Sequence, residues 1–222
     1  IGPGALLQQH GITPILAQQQ VGRNLQDHLA MSYYFKATEP TLNNVLGSLW
    51  GKLRVGVQYV TTLGGPLSIS VNQCGGFVRS HDAATQADMQ LYCNPITYTL
   101  AASKTGTQIV PDSFAGFILC FQPCRPLSRG RIEIVSPDAA RAPRITPNYL
   151  SHPEDVAQAL RGAKLIQRLT GTDAMKGLIK KPIAPSLDGM SDASMVEDFR
   201  SRASTCYHPV GSCTMGPDPA TS

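Results

Sequence analysis

Four short runs of strand-forming residues follow one another with no helical crossover between them: "GGFVRS" (75–80), "ADMQLYCN" (87–94), "SFAGFILCFQ" (113–122) and "RGRIEIVS" (129–136). Parallel neighbours need a crossover of a dozen or more residues, usually a helix, so strands joined by turn-rich segments pair antiparallel. An earlier run, "MSYYFKAT" (31–38), is equally rich in aromatic and β-prone types. This succession predicts an α+β chain with an antiparallel β-sheet backed by helices.

The helices are read from periodicity. "SHPEDVAQALRGAKLIQRLTG" places Val156, Leu160, Ala163, Ile166 and Leu169 on one face, puts Ser151 and Glu154 in capping-box register, and stops at Gly171. "SDASMVEDFRSRA" (191–203) sets Met195 and Phe199 one turn apart, with Asp192 near the positive end of the helix dipole. Leu46, Leu49, Trp50, Leu53, Val57 and Val60 predict a further helix that Gly64 and Gly65 terminate. At the start, Ala5 to Leu7 predict a short helix ended by Gly11, followed by a strand over "ITPILA".

Bulk properties narrow the function classes. With 42% hydrophobic and 15% charged residues, 20 Gly and 17 Pro in 222 positions, the chain is predicted to be packed and loop-rich rather than disordered. Its net charge of +4 is scattered, with no basic stripe interleaved with aromatics, which argues against a nucleic-acid partner. No apolar run reaches the roughly 18 residues that span a bilayer, and no secretory leader pattern opens the chain. Six cysteines are too sparse for a disulfide framework, so reduced thiols are expected; they favour a cytoplasmic over a secreted setting and leave the localisation open. Cys120 and Cys124 are read as structural cysteines in an apolar strand.

Two clusters carry candidate chemistry. In "TCYHPVGSCTMG" (205–216), Cys206, His208 and Cys213 could ligate zinc, but a closed site needs a fourth ligand and paired spacings that are absent. A Cys213 nucleophile activated by His208 is weakly supported, since such partners normally meet from distant segments. A third reading makes His208 a general base: Pro209 keeps it out of a helix interior, Gly211 permits close backbone approach, and imidazole titrates near neutrality, although a lone loop histidine is more often structural or solvated. In "VGRNLQDHL" (21–29), Gly22 permits a tight turn, Asn24 can donate and accept, and Asp27 places an acid beside His28. On spacing alone, a plain turn leading into a strand, with Asn24 capping a local backbone group, explains that segment better.

Taken together, "VGRNLQDHL" and "YHPVGSCTMG" resemble the glucose-methanol-choline (GMC) flavoprotein oxidoreductases, with their G-x-N-L-x-D-H and Y-H-P-x-G-(T/S)-C-x-M-G motifs. "IGPGALLQQHGI", "GGFVRS" and "PLSRGRIEIVSPDAARAPRITPNYLSHPED" resemble further family segments in the same order. The resemblance implies an FAD-dependent oxidation of a primary alcohol to an aldehyde, with His208 as the catalytic proton acceptor. It further implies Asn24 and His28 against the cofactor, Tyr92 in the substrate pocket, no metal, and a small-molecule alcohol as partner. Choline is disfavoured, because relatives acting on it place a Glu where this chain has Ala30.

The family's phosphate-binding G-x-G-x-x-G is absent from the 222 residues. The resemblance therefore implies a fragment, not expected to act without the remaining parts of the same polypeptide: residues 1–30 and 204–222 as partial FAD-binding segments, and 31–203 as the substrate-binding domain. A flavin-bound lyase of the same scaffold, similar to hydroxynitrile lyase, and a catalytically silent substrate-domain module are the rival readings.

Overall fold

A computed structural model describes residues 1–70, 72–103, 106–183, 185–218 and 220. In chain order its elements are α1 (Gly4–Gln9), β1 (Leu29–Ala37), α2 (Leu42–Leu46), α3 (Leu49–Thr62), β2 (Cys74–Val78), β3 (Met89–Asn94), β4 (Tyr98–Ser103), β5 (Gly106–Pro111), β6 (Gly116–Pro123), β7 (Arg131–Glu133), β8 (Arg144–Thr146), α4 (Pro153–Thr170), α5 (Asp173–Leu178), β9 (Ile179–Pro182), α6 (Asp192–Arg202) and β10 (Ser204–Thr205). The chain divides into two compact units. One comprises Ile1–Leu29, Pro123–Gln158 and Ser204–Ser222; the other comprises Ala30–Gln122 and Ala159–Ala203.

The second unit is built on a sheet with strand order β9-β1-β6-β3-β2. The β1–β6, β1–β9 and β2–β3 pairs are antiparallel, as the strand succession predicts. Met31, Tyr33 and Phe35 lie opposite Phe121, Leu119 and Phe117, and all six are buried, so alternate residues of the two central strands form one apolar face. Helices cover that face. Phe121 stacks on Phe199 of α6 with ring centroids 5.7 Å apart. A Cβ at Gly162 of α4 would stand 2.2 Å from the Phe121 ring, so only glycine lets this helix come so close to the sheet. Asp198 fastens α6: it accepts two hydrogen bonds from Arg202, both at 2.6 Å, and one from the Tyr33 hydroxyl at 3.1 Å.

Several sequence expectations are corrected. The helix expected over the 42–63 stretch is two helices, because Ser48 adopts an extended backbone and caps α3 by accepting a hydrogen bond from the Gly51 amide. Leu63, in the left-handed region, ends α3 before Gly64. The apolar positions of α3 do share a face, yet Leu49 and Trp50 are 85% and 80% exposed, and only Val55 is buried. The β4–β5 hairpin, α5 and β9 lie where no element was expected.

The first unit has less regular structure. "ITPILA" is not a strand: Pro14 has no amide hydrogen to give a ladder, Ile15 is exposed, and only Ala17 forms a bridge, with Gly2. β7 and β8 make a short antiparallel pair. The helix α4 starts at Pro153, and the Ser151–Glu154 capping box does not set its start; the His152 ring accepts from the Glu154 amide, and the Ser151 hydroxyl accepts from Asn148. Buried Asp155, in the first turn, accepts from the amides of Leu127 and Ser128 at 2.7 and 2.8 Å, which fixes the loop ahead of β7. No helix among the described residues is long and apolar enough to cross a membrane.

Candidate active site

Within the first unit, main-chain hydrogen bonds bring the two sequence clusters together. Gln26 and Val210 exchange both of their amide–carbonyl bonds at 2.8 Å, and the Gly22 amide donates to the Ser212 carbonyl at 2.8 Å. On the other side, Leu25 and Gly130 exchange bonds at 3.0 and 2.8 Å, and the Ile132 amide donates to the Gly22 carbonyl at 2.7 Å. The segment 22–28 is thus a middle rung between 130–132 and 205–212. Both glycines of the sequence argument are needed for close approach: a Cβ at Gly22 would meet the Ile132 carbonyl oxygen at 2.2 Å, and one at Gly211 the Asn24 carbonyl oxygen at 2.4 Å. Both also have positive φ, 81° and 87°.

Asp27 is the hub of this arrangement. Its carboxylate accepts from the Tyr149 hydroxyl at 2.6 Å, from the Thr205 hydroxyl, and from the His208 amide at 3.1 Å. Burial pushes the Asp27 carboxyl up, but these bonds outweigh it and hold the group below the usual carboxylate range. The Thr205 hydroxyl in turn accepts from the Tyr207 amide at 2.9 Å. Tyr207 sits in the left-handed region with φ 59°, a costly place for a residue with a Cβ, and it turns the chain immediately before His208.

A prediction follows from the sign of the Asp27 shift. A depressed folded pKa means a contribution that is present above the unfolded value, about 3.9, and lost as pH falls through the lower folded value. The His208 amide resonance, followed by NMR, is expected to move in one acid step below that value. Asp27→Asn should abolish the step; its persistence in the variant would remove Asp27 from this role.

The two imidazoles meet edge to face, with centroids 5.4 Å apart and an interplanar angle of 77°. His28 Nδ1 lies 2.9 Å from the Pro123 carbonyl oxygen. A carbonyl can only accept, so Nδ1 carries the hydrogen, and Nε2 of the neutral ring keeps a lone pair. His208 is exposed. Both rings line a cavity of about 310 Å³ together with Asp27, Arg125 and Arg129. Asn24, also with positive φ, accepts from Arg129 Nε at 2.9 Å and donates to the Thr214 hydroxyl at 3.4 Å, so its amide braces the loops.

Of the residues singled out in the sequence, His208, His28 and Asn24 therefore gather in the first unit. Tyr92 belongs to β3 of the second unit, where it lines an apolar cavity of about 700 Å³ with Leu91, Leu119, Ile166 and Leu178. Cys206 is half-buried and Cys213 is exposed. Among the described residues, no three His, Cys, Asp or Glu side chains are grouped to hold a metal ion. Sequence reasoning missed Thr205, Tyr149, Arg129 and Asp155; the quoted "PLSRG" stretch was the one signal pointing at Arg129.

The chain carries, over residues 126–222, a match to a family model described as GMC oxidoreductase. It is 36% identical, over its full length, to an alcohol dehydrogenase (acceptor) of Pseudomonas putida, of which it covers 39%. It is 30% identical, over 98% of its length, to an oxygen-dependent choline dehydrogenase of Ectopseudomonas mendocina, of which it covers 38%. The chain thus spans about two fifths of the curated relatives it matches. Among solved structures, it resembles pyridoxine 4-oxidase from Mesorbium loti, with TM-score 0.75 and 23% identity over the whole chain and 38% of that protein. It also resembles a variant of Aspergillus oryzae formate oxidase, with TM-score 0.80 and 21% identity over 96% of the chain and 41% of that protein. At these identities the structural likeness speaks for the fold.

Proposed function

We propose that the chain is part of an FAD-dependent oxidoreductase that converts a primary alcohol to an aldehyde, with His208 as proton acceptor. The observation that carries the reading is the His28–His208 pair beside one cavity, with the main chain of His208 pinned by Asp27. The cavity suits only part of such a cofactor. About 310 Å³ is at the lower limit of ligand pockets, roughly 300–1,000 Å³, which fits a ring system and not a whole dinucleotide. The guanidinium groups of Arg125 and Arg129 on its wall suit an electron-rich ring edge. The remaining binding groups are assigned to other parts of the polypeptide.

When bound, FAD supplies the acceptor for the hydride leaving the carbinol carbon. The chain's own residues handle the proton. His208 takes it from the substrate hydroxyl, which matters because an alkoxide expels hydride far more readily than an alcohol. His28, its Nδ1–H committed to the Pro123 carbonyl, steadies the His208 ring through their edge-to-face contact on the cofactor side. Asn24 serves the cofactor side by bracing the loops that carry both rings. The stretches 1–30 and 204–222 contribute to the FAD-binding domain and 31–203 to the substrate domain. Tyr92 is the substrate-binding candidate: apart from Glu39, the walls of its cavity suit an uncharged carbon skeleton better than a quaternary ammonium, in line with Ala30.

The test uses the full-length protein under argon. Mixing with a primary alcohol is expected to bleach the flavin absorbance. A flavin that stays oxidised while substrate is consumed would replace this reading by the lyase, and no turnover of any alcohol with an intact flavin spectrum would replace it by a silent module.

A further inference from the structure

Two thiols of the second unit are placed as a pair. Cys74 on β2 and Cys93 on β3 are direct cross-strand partners in the antiparallel register. Opposed residues of such a ladder stand about 4.5–5.5 Å apart at Cα, inside the window of about 4.4–6.8 Å that disulfides occupy. Their side chains leave the sheet on the same side and are hydrogen-bonded to each other. Cys74 is exposed and Cys93 half-buried. Gly75 and Gly76 follow Cys74, so no side chain of the next two residues shields it. β2 is the last strand in the order of its sheet, held on one side by β3 alone among the described residues. Both cysteines line the apolar cavity that Tyr92 lines.

We propose that Cys74 and Cys93 are a reversible oxidation site, forming a cross-strand disulfide when the protein meets hydrogen peroxide. The exposed Cys74 sulfur attacks the peroxide: the O–O bond breaks, a sulfenic acid forms and one water leaves. The Cys93 sulfur then attacks Cys74; the S–S bond forms as the S–O bond breaks, and the departing hydroxide takes the Cys93 proton as a second water. Two thiols lose two electrons and two protons, and the peroxide is reduced to two waters. The order of attack follows from environment. Burial first, then the neighbouring Cys74, pushes the Cys93 thiol up to about 12, so Cys74 reacts first and Cys93 resolves. Once formed, the bond staples the edge strand to β3 at the cavity wall.

Hydrogen peroxide added to the purified full-length protein is the probe. Arg79 separates the two cysteines in sequence, so trypsin places them on different peptides. The expected result is a loss of the mass of two hydrogens, a fall of two in titratable thiols, and a single cross-linked peptide pair joining Cys74 to Cys93, all reversed by dithiothreitol. Cys74→Ser, at an exposed position, and independently Cys93→Ser, should each eliminate the cross-link. Sulfinic or sulfonic acid at Cys74 in place of the cross-link, pairing through Cys120, Cys124, Cys206 or Cys213, or an unchanged thiol count would overturn the proposal.

Discussion

His208→Ala in the full-length protein is expected to slow anaerobic flavin bleaching by a primary alcohol by about 10²–10⁴-fold, the usual worth of a positioned base. The side chain is exposed and its ring makes one contact of note, with His28, so truncation should leave the loop intact: Asp27 holds the His208 amide and not its imidazole. The loss should fall on kcat rather than on the affinity for alcohol, since the base acts as the hydroxyl proton is transferred. His28→Ala is the partner experiment. A loss confined to that variant, with His208→Ala unchanged, would move the proton acceptor to the ring whose Nδ1–H is held by Pro123.

The second large effect is on stability. Phe121→Ala is expected to destabilise the second unit by about 3–5 kcal/mol, the range for emptying a large aromatic site that cannot collapse. Phe121 is fully buried, stacks on Phe199 and lies opposite Met31. Gly162 of α4 and Phe199 of α6 both pack on the Phe121 ring, so its removal opens a void between the sheet and the two helices. Urea unfolding monitored on the second unit should show a lower midpoint with little change in slope. A midpoint shift worth less than about 1 kcal/mol would mean that the surrounding side chains repack, against the rigidity argued for interiors of this density.

What could be read from the sequence depended on whether a signal was local. The run 113–122 and the helix over 153–170 were legible because each carries its own periodicity and its own stops. The 98–103 and 106–111 strands were not: Thr, Ala, Gly and Gln give no clean alternation, and each strand is defined mainly by its pairing with the other. α3 shows a different limit. Periodicity says which residues share a face, but not that anything covers it, and Leu49, Trp50 and Val60 stay exposed. In the site, "DH" and "YHP" stood out as motifs. The hub role of Asp27 did not, because its donors Tyr149, Thr205 and His208 lie 122, 178 and 181 positions away.

The ladder between 22–28 and 205–212 has a consequence for how this protein can change. Gln26 and Val210 meet through amides and carbonyls alone, and the Val210 side chain is 60% exposed. The imidazole's address is therefore written in the main chain, in the Asp27 carboxylate and in two residues lacking a Cβ, Gly22 and Gly211. The side chains of Gln26 and Val210 take no part in it, and a library varying those two could retune what enters the cavity without relocating the base. Variation at either glycine should be rejected at once.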